Sequence, residues 1–229
     1  SILWAKRSLY PFLERVNSMA SSSLCHKGQF IPEIDSIEVD TILRIHGYKK
    51  PSDVRLAIRE IAEKMIAVSI PLFEPVVYYR QCRIKSLDGT RLVLDNGETS
   101  LHNPEFSNPL SSCTDVMVFL LTLGDKPDRR STLLQQSDNL LEALFLESAS
   151  WLAIERATRS FVTELRRTSE ACNTRITSRL APGYGDWPLT DQQGIFSLFR
   201  GWDMKIALTD GDCMQPKMSR SGLYGIRPS

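Results

Sequence analysis

The sequence predicts an α+β fold, in which helices and antiparallel strands occupy separate stretches of one main domain. Three observations predict it. An amphipathic helical pattern precedes the first strand-forming run, glycine-containing turns separate short strands, and a longer helical pattern follows an apolar strand. This order differs from the regular strand–helix alternation of parallel α/β proteins. The chain has 229 residues, 42% of them hydrophobic, and is therefore long enough to bury a sizeable core.

Two helices are predicted in the first part of the chain. Residues 30–50 are typical of a short helix that Gly47 and Pro51 close. The second helix is expected to start with Ser52 as its N-cap and to run to about Ser69, because apolar residues recur every three or four positions. This apolar side consists of Val54, Ala57, Ile58, Ile61, Met65 and Val68.

A small antiparallel sheet is predicted next. Strand-forming residues begin at Val76, and the pairs Asp88-Gly89 and Asn96-Gly97 are typical of hairpin turns. A short run of leucine and valine between the two turns favours a strand. Together these features predict two or more neighbouring antiparallel strands.

A buried strand and the longest helix follow. Residues 116–123 are almost all apolar, which predicts a strand covered on both faces. After Pro127 a long helical pattern begins, and Glu147 and Glu155 interrupt its apolar side. Each acid either lies at the solvated edge of the helix or is half-buried and needs a partner or a ligand. The apolar side consists of Leu140, Leu144, Trp151, Ile154, Phe161 and Leu165.

The last third of the chain alternates between loops and short elements. A short helix is expected over 191–199, a strand over 206–209 and a final strand over 219–226. The loops 177–193 and 210–218 are both rich in small and polar residues. They can face each other across a shallow cleft.

Composition narrows the classes of function. Lysine and arginine total 28 against 27 acids, which gives a net charge of +1. The overall charge therefore does not favour binding to nucleic acid or to a membrane surface. The five cysteines and three histidines show no metal-ligand spacing, which indicates a reducing, cytoplasmic setting without a protein-ligated metal. No apolar run approaches the roughly 18 residues of a membrane span. Residues 1–30 lack the apolar block of a secretory signal and are assigned as an N-terminal extension to a domain over 31–229.

The stretch TSRLAPGYGDWPLTDQQ, residues 177–193, is unsuited to a packed core. Arg179 carries a planar set of donors for a carboxylate or phosphate, and Pro182 stiffens the backbone before Gly183. Tyr184 adds a flat face and a hydroxyl. The loop can therefore hold a flat zwitterionic molecule by main-chain contacts, or it is a surface loop with a type II turn and one weak salt bridge.

These residues resemble a known family. The pattern Arg-x-x-x-Gly-Tyr at Arg179, Gly183 and Tyr184 is similar to the activation domain of cobalamin-dependent methionine synthase and its free-standing bacterial relatives. The resemblance covers about residues 30–226, including Glu147 and Glu155 at two acidic positions of the family. A second signature follows in the same order at Leu208, Thr209, Met214, Pro216, Ser219, Ser221, Gly222 and Tyr224.

The resemblance implies a C-shaped domain with a central antiparallel sheet that binds S-adenosylmethionine, extended, in a shallow groove. It assigns Arg179 to the methionine carboxylate and Asp35 to the amino group, although Glu33 and Asp40 compete with Asp35. The full-length enzyme has a bulky residue where this chain has Gly225, so the resemblance implies that this contact is main chain only. The residues assigned to the ligand are Asp35, Glu155, Arg179, Ala181, Pro182, Gly183, Tyr184, Tyr224 and Gly225.

The resemblance also implies a function in methionine biosynthesis. A separate module of this kind supports reductive methylation of cob(II)alamin to methylcobalamin on a partner corrinoid protein, such as a methionine synthase without its own activation domain. A flavodoxin-like or other reductase supplies the electron. The protein's share is positioning, so no general acid, general base or other catalytic residue is assigned.

Two other functions are compatible with the sequence. The first is a non-catalytic adaptor that docks on a corrinoid protein without using the nucleoside. The second is a methyltransferase that uses S-adenosylmethionine on a small molecule. The second is disfavoured because no Gly-x-Gly loop follows a predicted strand.

Overall fold

The computed structural model describes residues 26–34, 36–95 and 99–229. Helices flank a central antiparallel sheet, which confirms the predicted α+β class. Residues 1–25, the proposed ligand residue Asp35 and the predicted turn at Asn96-Gly97 lie outside the described residues. Within the described ranges, no helix combines the length and the apolar character needed to cross a membrane.

The described residues form six α-helices. Their bounds are α1 Val39–Ile45, α2 Leu56–Ser69, α3 Ser107–Leu110, α4 Lys126–Gln136, α5 Leu140–Ala171 and α6 Gln192–Ser197. Single 3₁₀ turns span Pro51–Asp53, Ile70–Leu72 and Leu189–Asp191. The longest helix, α5, confirms the long helical pattern after Pro127.

The strands pair antiparallel throughout. Their bounds are β1 Lys27–Phe30, β2 Val76–Asp88, β3 Arg91–Leu94, β4 Ser100–His102, β5 Asp115–Thr122, β6 Thr174–Ile176, β7 Ala207–Leu208, β8 Met214–Gln215 and β9 Ser219–Pro228. The sheet runs in the order β4-β3-β2-β5-β9-β6, and β1 pairs with β2. Strands β7 and β8 form a separate pair.

The sheet is buried on both faces. Because side chains alternate along a strand, Phe119 and Tyr224 point towards α5, whereas Val118 and Leu223 point to the opposite layer. That second layer contains Trp187 from the loop after β6. The predicted burial of the apolar strand, now β5, is confirmed on both faces. The central strands therefore hold the C-terminal loops against a rigid core.

The predicted apolar side of α5 is wrong in its first half. Helices α2 and α4 pack against a different side of α5 from the one that the spacing suggested. The residues buried there are Phe145, Leu146, Ala149, Leu152 and Ala153. From the predicted line, Leu140, Leu144 and Trp151 stay 64%, 46% and 47% exposed. Its later members Ile154, Phe161 and Leu165 are buried as predicted.

Helix α2 begins later than predicted. Ser52 lies in the 3₁₀ turn, where its hydroxyl donates to the carboxylate of Asp53 over 3.0 Å instead of capping a helix. The helix starts at Leu56, after Arg55 in a non-helical conformation. The Ser52 N-cap prediction is therefore wrong, because Pro51 favours a local turn that ends before the helix.

Three short strands were not apparent in the sequence. Strand β1 pairs with β2 from Lys27↔Arg80 to Phe30↔Val77, so residues 27–30 belong to the sheet although they precede residue 31. Strand β6 pairs with β9, and β8 lies in the predicted loop 210–218. Strands of two to four residues are too short to show an alternating pattern. Their pairing depends on partners distant in sequence.

Candidate functional site

The stretch 177–193 contains a tight turn at the molecular surface. The N–H of Tyr184 donates to the carbonyl of Ala181 over 3.3 Å, with Pro182 and Gly183 between them. Gly183 has a φ of +84°, which the third position of a type II turn requires and which glycine adopts without strain. Ala181 and Pro182 are buried, whereas Gly183 and Tyr184 are exposed.

Trp187 fixes this turn to the body of the protein. Its side chain is only 2% exposed and packs edge-to-face on Phe106, with ring centroids 4.8 Å apart. Its indole N–H donates to the Asp191 carboxylate over 2.8 Å, and its carbonyl accepts the Gly183 N–H over 2.8 Å. These contacts fix the inner side of the turn to the protein, while Gly183 and Tyr184 on its outer side stay exposed.

The chain before the turn runs along β9. Leu180 and Leu223 exchange both backbone hydrogen bonds, at 3.0 and 2.8 Å. Gly222 lies under this crossing with a φ of +149°, and a Cβ built there would be 2.5 Å from the Leu180 carbonyl oxygen. Only glycine allows so close an approach. Gly222 therefore lets the chain at Leu180 pack closely on β9, and this contact fixes the backbone of the adjacent residue Arg179.

Arg179 faces Tyr184 of the turn. Its guanidinium carbon lies 5.2 Å from the centroid of the Tyr184 ring, a cation–π contact. Arg179 is half-buried, and among the described residues it has no ion pair. Tyr184 is 65% exposed. The pair therefore presents a planar cation and an aromatic face to solvent, a combination suited to the carboxylate of a flat ligand.

Glu155 of α5 reaches the same region. The guanidinium of Arg220 on β9 donates to its carboxylate, and also to the Thr158 hydroxyl over 3.4 Å. The Glu155 side chain is 40% exposed and that of Arg220 is 15% exposed. The hydrogen bond from Arg220 is the main cause of a lowered Glu155 pKa, and the charges of Arg220, Arg179 and Arg159 add to it. Glu155 is thus an ionised, paired acid.

The lowered pKa of Glu155 predicts a small dependence of stability on pH. A carboxyl whose pKa is depressed on folding stabilises the protein above its unfolded pKa, and the contribution disappears as pH falls through the folded pKa. Because the side chain is more than a third exposed, the difference in free energy of unfolding between wild type and Glu155→Gln should be about 1 kcal/mol or less at pH 7. Urea denaturation from pH 7 to pH 3 should show this difference vanishing at the acidic end. A constant difference would contradict the prediction.

Tyr224 lies beneath the surface of the region. It is 3% exposed and its ring stacks on Phe119, with centroids 5.5 Å apart. Burial raises the pKa of Tyr224 to about 12, so its hydroxyl stays protonated and available as a donor at neutral pH. Tyr224, Gly222 and Arg220 share one face of β9, because strand residues alternate. This face is the one that meets Glu155.

Gly225 is directed away from these residues. A Cβ there would lie 2.6 Å from the Cys113 sulfur and 2.7 Å from Leu110, in the opposite layer. Its N–H donates to the Thr177 hydroxyl over 2.9 Å, and its carbonyl accepts the Thr177 N–H over 3.0 Å. The structure therefore gives Gly225 a packing position that anchors the start of the loop.

Glu147, the other acid that interrupts the apolar side of α5, is paired as well. Glu147 accepts a hydrogen bond from Ser131 over 3.0 Å and forms a salt bridge with Lys217, also at 3.0 Å. Lys217 also donates its backbone N–H to Asp128 over 2.6 Å. This cluster borders a cavity of about 260 Å³ between α4, α5 and the chain before β9. Both acids are thus satisfied by residues of the C-terminal loop and strand.

Two residues of the site were not recognised in the sequence. Thr177 ties the loop to Gly225, and Arg220 pairs with Glu155. A charged residue among the small residues Ser219, Ser221 and Gly222 is a signal that could have singled out Arg220. Its partner, 65 residues away in sequence, depends on tertiary structure. The structure brings together Arg179, the 181–184 turn, Glu155 and Tyr224.

Comparison with known proteins supports the fold. No protein-family model and no curated protein sequence matches the chain. Among solved structures the chain is similar to one described as the crystal structure of the MetH reactivation domain bound to AdoHcy. The similarity has a TM-score of 0.56, covers 89% of this chain and 79% of that chain, and has 14% sequence identity. The chain therefore shares the fold of that reactivation domain, with little similarity in sequence.

Proposed function

We propose that the protein binds S-adenosylmethionine and serves as a reactivation module for a corrinoid protein. The observation that carries the proposal is the Arg179 guanidinium, unpaired by any acid among the described residues and facing exposed Tyr184 across a glycine-opened turn. The likeness to a reactivation domain that was crystallised with AdoHcy supports the same ligand class.

Free donors in the site fit this ligand. The N–H of Ala181 and the hydroxyl of Tyr224 have no hydrogen-bond partner in the described ranges of the chain, although both residues are nearly buried. Donors without a protein partner are open to water or to a bound molecule. Arg179 would hold the carboxylate of the ligand.

Other proposed contacts complete the site. Tyr184 would lie against the flat nucleoside, and Pro182 and Gly183 would line it through the main chain. Asp35 is the proposed partner of the amino group. Glu155, which is paired with Arg220, would line the site. The residues thus bind and orient the ligand without a general acid or base.

The proposed activity needs partners. When bound, S-adenosylmethionine supplies the methyl group that a cobalamin-carrying partner takes up together with one electron, and S-adenosylhomocysteine remains. A flavodoxin-like or other reductase would supply the electron in the cytoplasm. The described residues contain no cluster of three or more histidine, cysteine, aspartate or glutamate side chains that could hold a metal. This chain's part in the proposal is to position the ligand and to exclude water.

Calorimetric titration tests the ligand. We expect wild type to bind S-adenosylmethionine, and Arg179→Ala to weaken binding about 10- to 100-fold because a charge-assisted hydrogen bond to the carboxylate is lost. Arg175→Ala, which removes an exposed arginine of β6 outside the turn, should bind as wild type does. Arg179→Lys keeps the charge but loses the planar fork, so it should give intermediate affinity.

The same titration separates the other candidates. Absence of nucleoside binding would reject the proposed ligand. It would favour the function of a non-catalytic adaptor that docks on a corrinoid protein. If the nucleoside binds, a cob(II)alamin protein and a reductant are added and the absorption spectrum is followed. Methylcobalamin should form only with wild type and Arg175→Ala. Methylation of a small molecule without any corrinoid protein would favour the ordinary methyltransferase.

A further inference from the structure

Two exposed aromatic side chains lie at the candidate site. In the part of the chain that the structure describes, Trp151 and Tyr184 are the only tryptophan, tyrosine or phenylalanine residues that are exposed, at 47% and 65%. Tyr184 belongs to the turn and contacts Arg179. Trp151 lies on α5, one helical turn before Glu155. Exposed aromatic side chains are characteristic of binding surfaces, because they offer a large apolar area with few rotatable bonds.

Trp151 is connected to the candidate site by a series of neighbouring residues. Residues four apart on a helix lie on one face, so Trp151 is next to Glu155. The Arg220 guanidinium donates to the Glu155 carboxylate. Arg220 and Gly222 share one face of β9, and a Cβ built at Gly222 would lie 3.4 Å from Cγ of Arg179. Trp151 therefore borders the site on the side of α5.

The acids on either side of Trp151 are already paired. Glu147, one turn before it, forms a salt bridge with Lys217, and Glu155, one turn after it, forms one with Arg220. Burial of an unpaired charge is costly, whereas these carboxylates each keep a partner. A protein that covers Trp151 therefore does not have to bury an unpaired acid of α5 beside it.

The proposed methyl transfer brings a partner to this surface. The bond from sulfur to the methyl carbon breaks as the carbon bonds to the partner's cobalt, so the two proteins must touch around the candidate site. A specific interface covers about 800 Å² on each protein, which corresponds to a disc of about 16 Å radius. One helical turn rises about 5.4 Å, so Trp151 lies well inside such a disc centred on Glu155. Leu144, eleven residues before Glu155 on the exposed side of α5, lies about 16 Å from it, at the edge of the disc.

Building on the proposed function, we propose that Trp151 is a docking contact for the corrinoid-carrying partner. Its indole is exposed in the free protein and is covered by the partner in the complex. Arg179 and Tyr184 bind the nucleoside, whereas Trp151 binds the protein that receives the methyl group. Truncation of Trp151 therefore weakens docking and leaves nucleoside binding unchanged.

Kinetic titration of the partner tests this assignment. The probe is a methionine synthase without its own activation domain, loaded with cob(II)alamin, and methylcobalamin formation is followed by absorption at saturating S-adenosylmethionine and reductant. Trp151→Ala should raise the probe concentration needed for the half-maximal rate about 5- to 30-fold, because aromatic contacts well inside an interface carry much of its binding energy. Leu144→Ala, at the edge, should raise it less than about 5-fold. Leu56→Ala, which truncates an exposed apolar residue of α2, is the control and should match wild type.

Two further measurements accompany each variant. Circular dichroism establishes that it is folded, and calorimetric titration measures its affinity for S-adenosylmethionine. Trp151→Phe keeps an aromatic ring and should need an intermediate probe concentration, so it provides the second test if Trp151→Ala does not fold.

The outcomes separate the docking contact from the proposed function. Weaker nucleoside binding in the Trp151 variants would place this residue in the ligand site, and an unchanged probe requirement would place it outside the interface. Either result would overturn the inference and leave the proposed function intact. If wild type does not bind the nucleoside, or binds it without forming methylcobalamin on the probe, the proposed function itself is rejected, and the inference with it.

Discussion

Gly222→Ala should abolish nucleoside binding and destabilise the protein by about 2–4 kcal/mol. The new methyl group would lie 2.5 Å from the Leu180 carbonyl oxygen, well inside van der Waals contact. That carbonyl cannot easily move, because it accepts the Leu223 N–H over 2.8 Å. The positive φ of +149° adds backbone strain for any residue with a Cβ. Relief of the clash would displace Arg179 from the turn.

Two glycine variants separate these causes. Gly201→Ala has a φ of +82° with no atom within 4 Å of the new Cβ, so it should show only the cost of the backbone conformation, about 1 kcal/mol. Gly211→Ala has neither clash nor positive φ and should be nearly neutral. Urea denaturation and S-adenosylmethionine titration of the three variants check the order. Wild-type stability and binding in Gly222→Ala would show that β9 and the 179–181 segment do not cross as described.

Phe161→Ala should destabilise the protein by about 3–5 kcal/mol, since a large side chain is removed from the core without replacement. Phe161 of α5 is fully buried. Its ring lies 5.5 Å from that of Phe119, 5.9 Å from that of Phe30 and 6.0 Å from that of Tyr79. The side chain therefore joins β1, β2 and β5 to the helix that carries Glu155.

Leu144→Ala is the control on the same helix. Leu144 belongs to the same predicted apolar line but is 46% exposed, so its truncation should cost about 1 kcal/mol or less. Chemical denaturation of both variants measures the two free energies of unfolding. Similar losses in the two variants would mean that the predicted line, and not the buried side in the structure, faces the core.

Much of the fold is present in local sequence patterns. The strand at 116–123 was predicted because a continuous apolar run of that length suits a doubly covered strand. The turn at Asp88-Gly89 was predicted because Asp-Gly pairs are typical of hairpin turns, and Gly89 has a positive φ of +55° in the structure. Helix α5 was predicted, but the side that is buried in its first half was not. The side that a helix buries depends on the helices packed against it, which here are α2 and α4.

The candidate site divides in the same way. Arg179 and the Pro182-Gly183 turn were evident from the sequence, because the charge of arginine, the restricted φ of proline and the backbone freedom of glycine act at their own positions in the chain. Arg220 was not predicted, because a single arginine in a strand does not indicate its partner, and Glu155 comes next to it only in the folded protein. Asp35 is still a prediction, since it lies outside the described residues.

Local sequence patterns account for the α+β class, the central buried strand, the long helix and the glycine-opened turn with its arginine. Each depends on residues close in sequence, whose steric and hydrophobic preferences act over one turn or one strand. Two features follow from tertiary packing instead: the two acids of α5 pair with Lys217 and Arg220, and the chain at Leu180 crosses β9 closely. Such contacts join distant segments, and their geometry is set by how the helix and the sheet pack together.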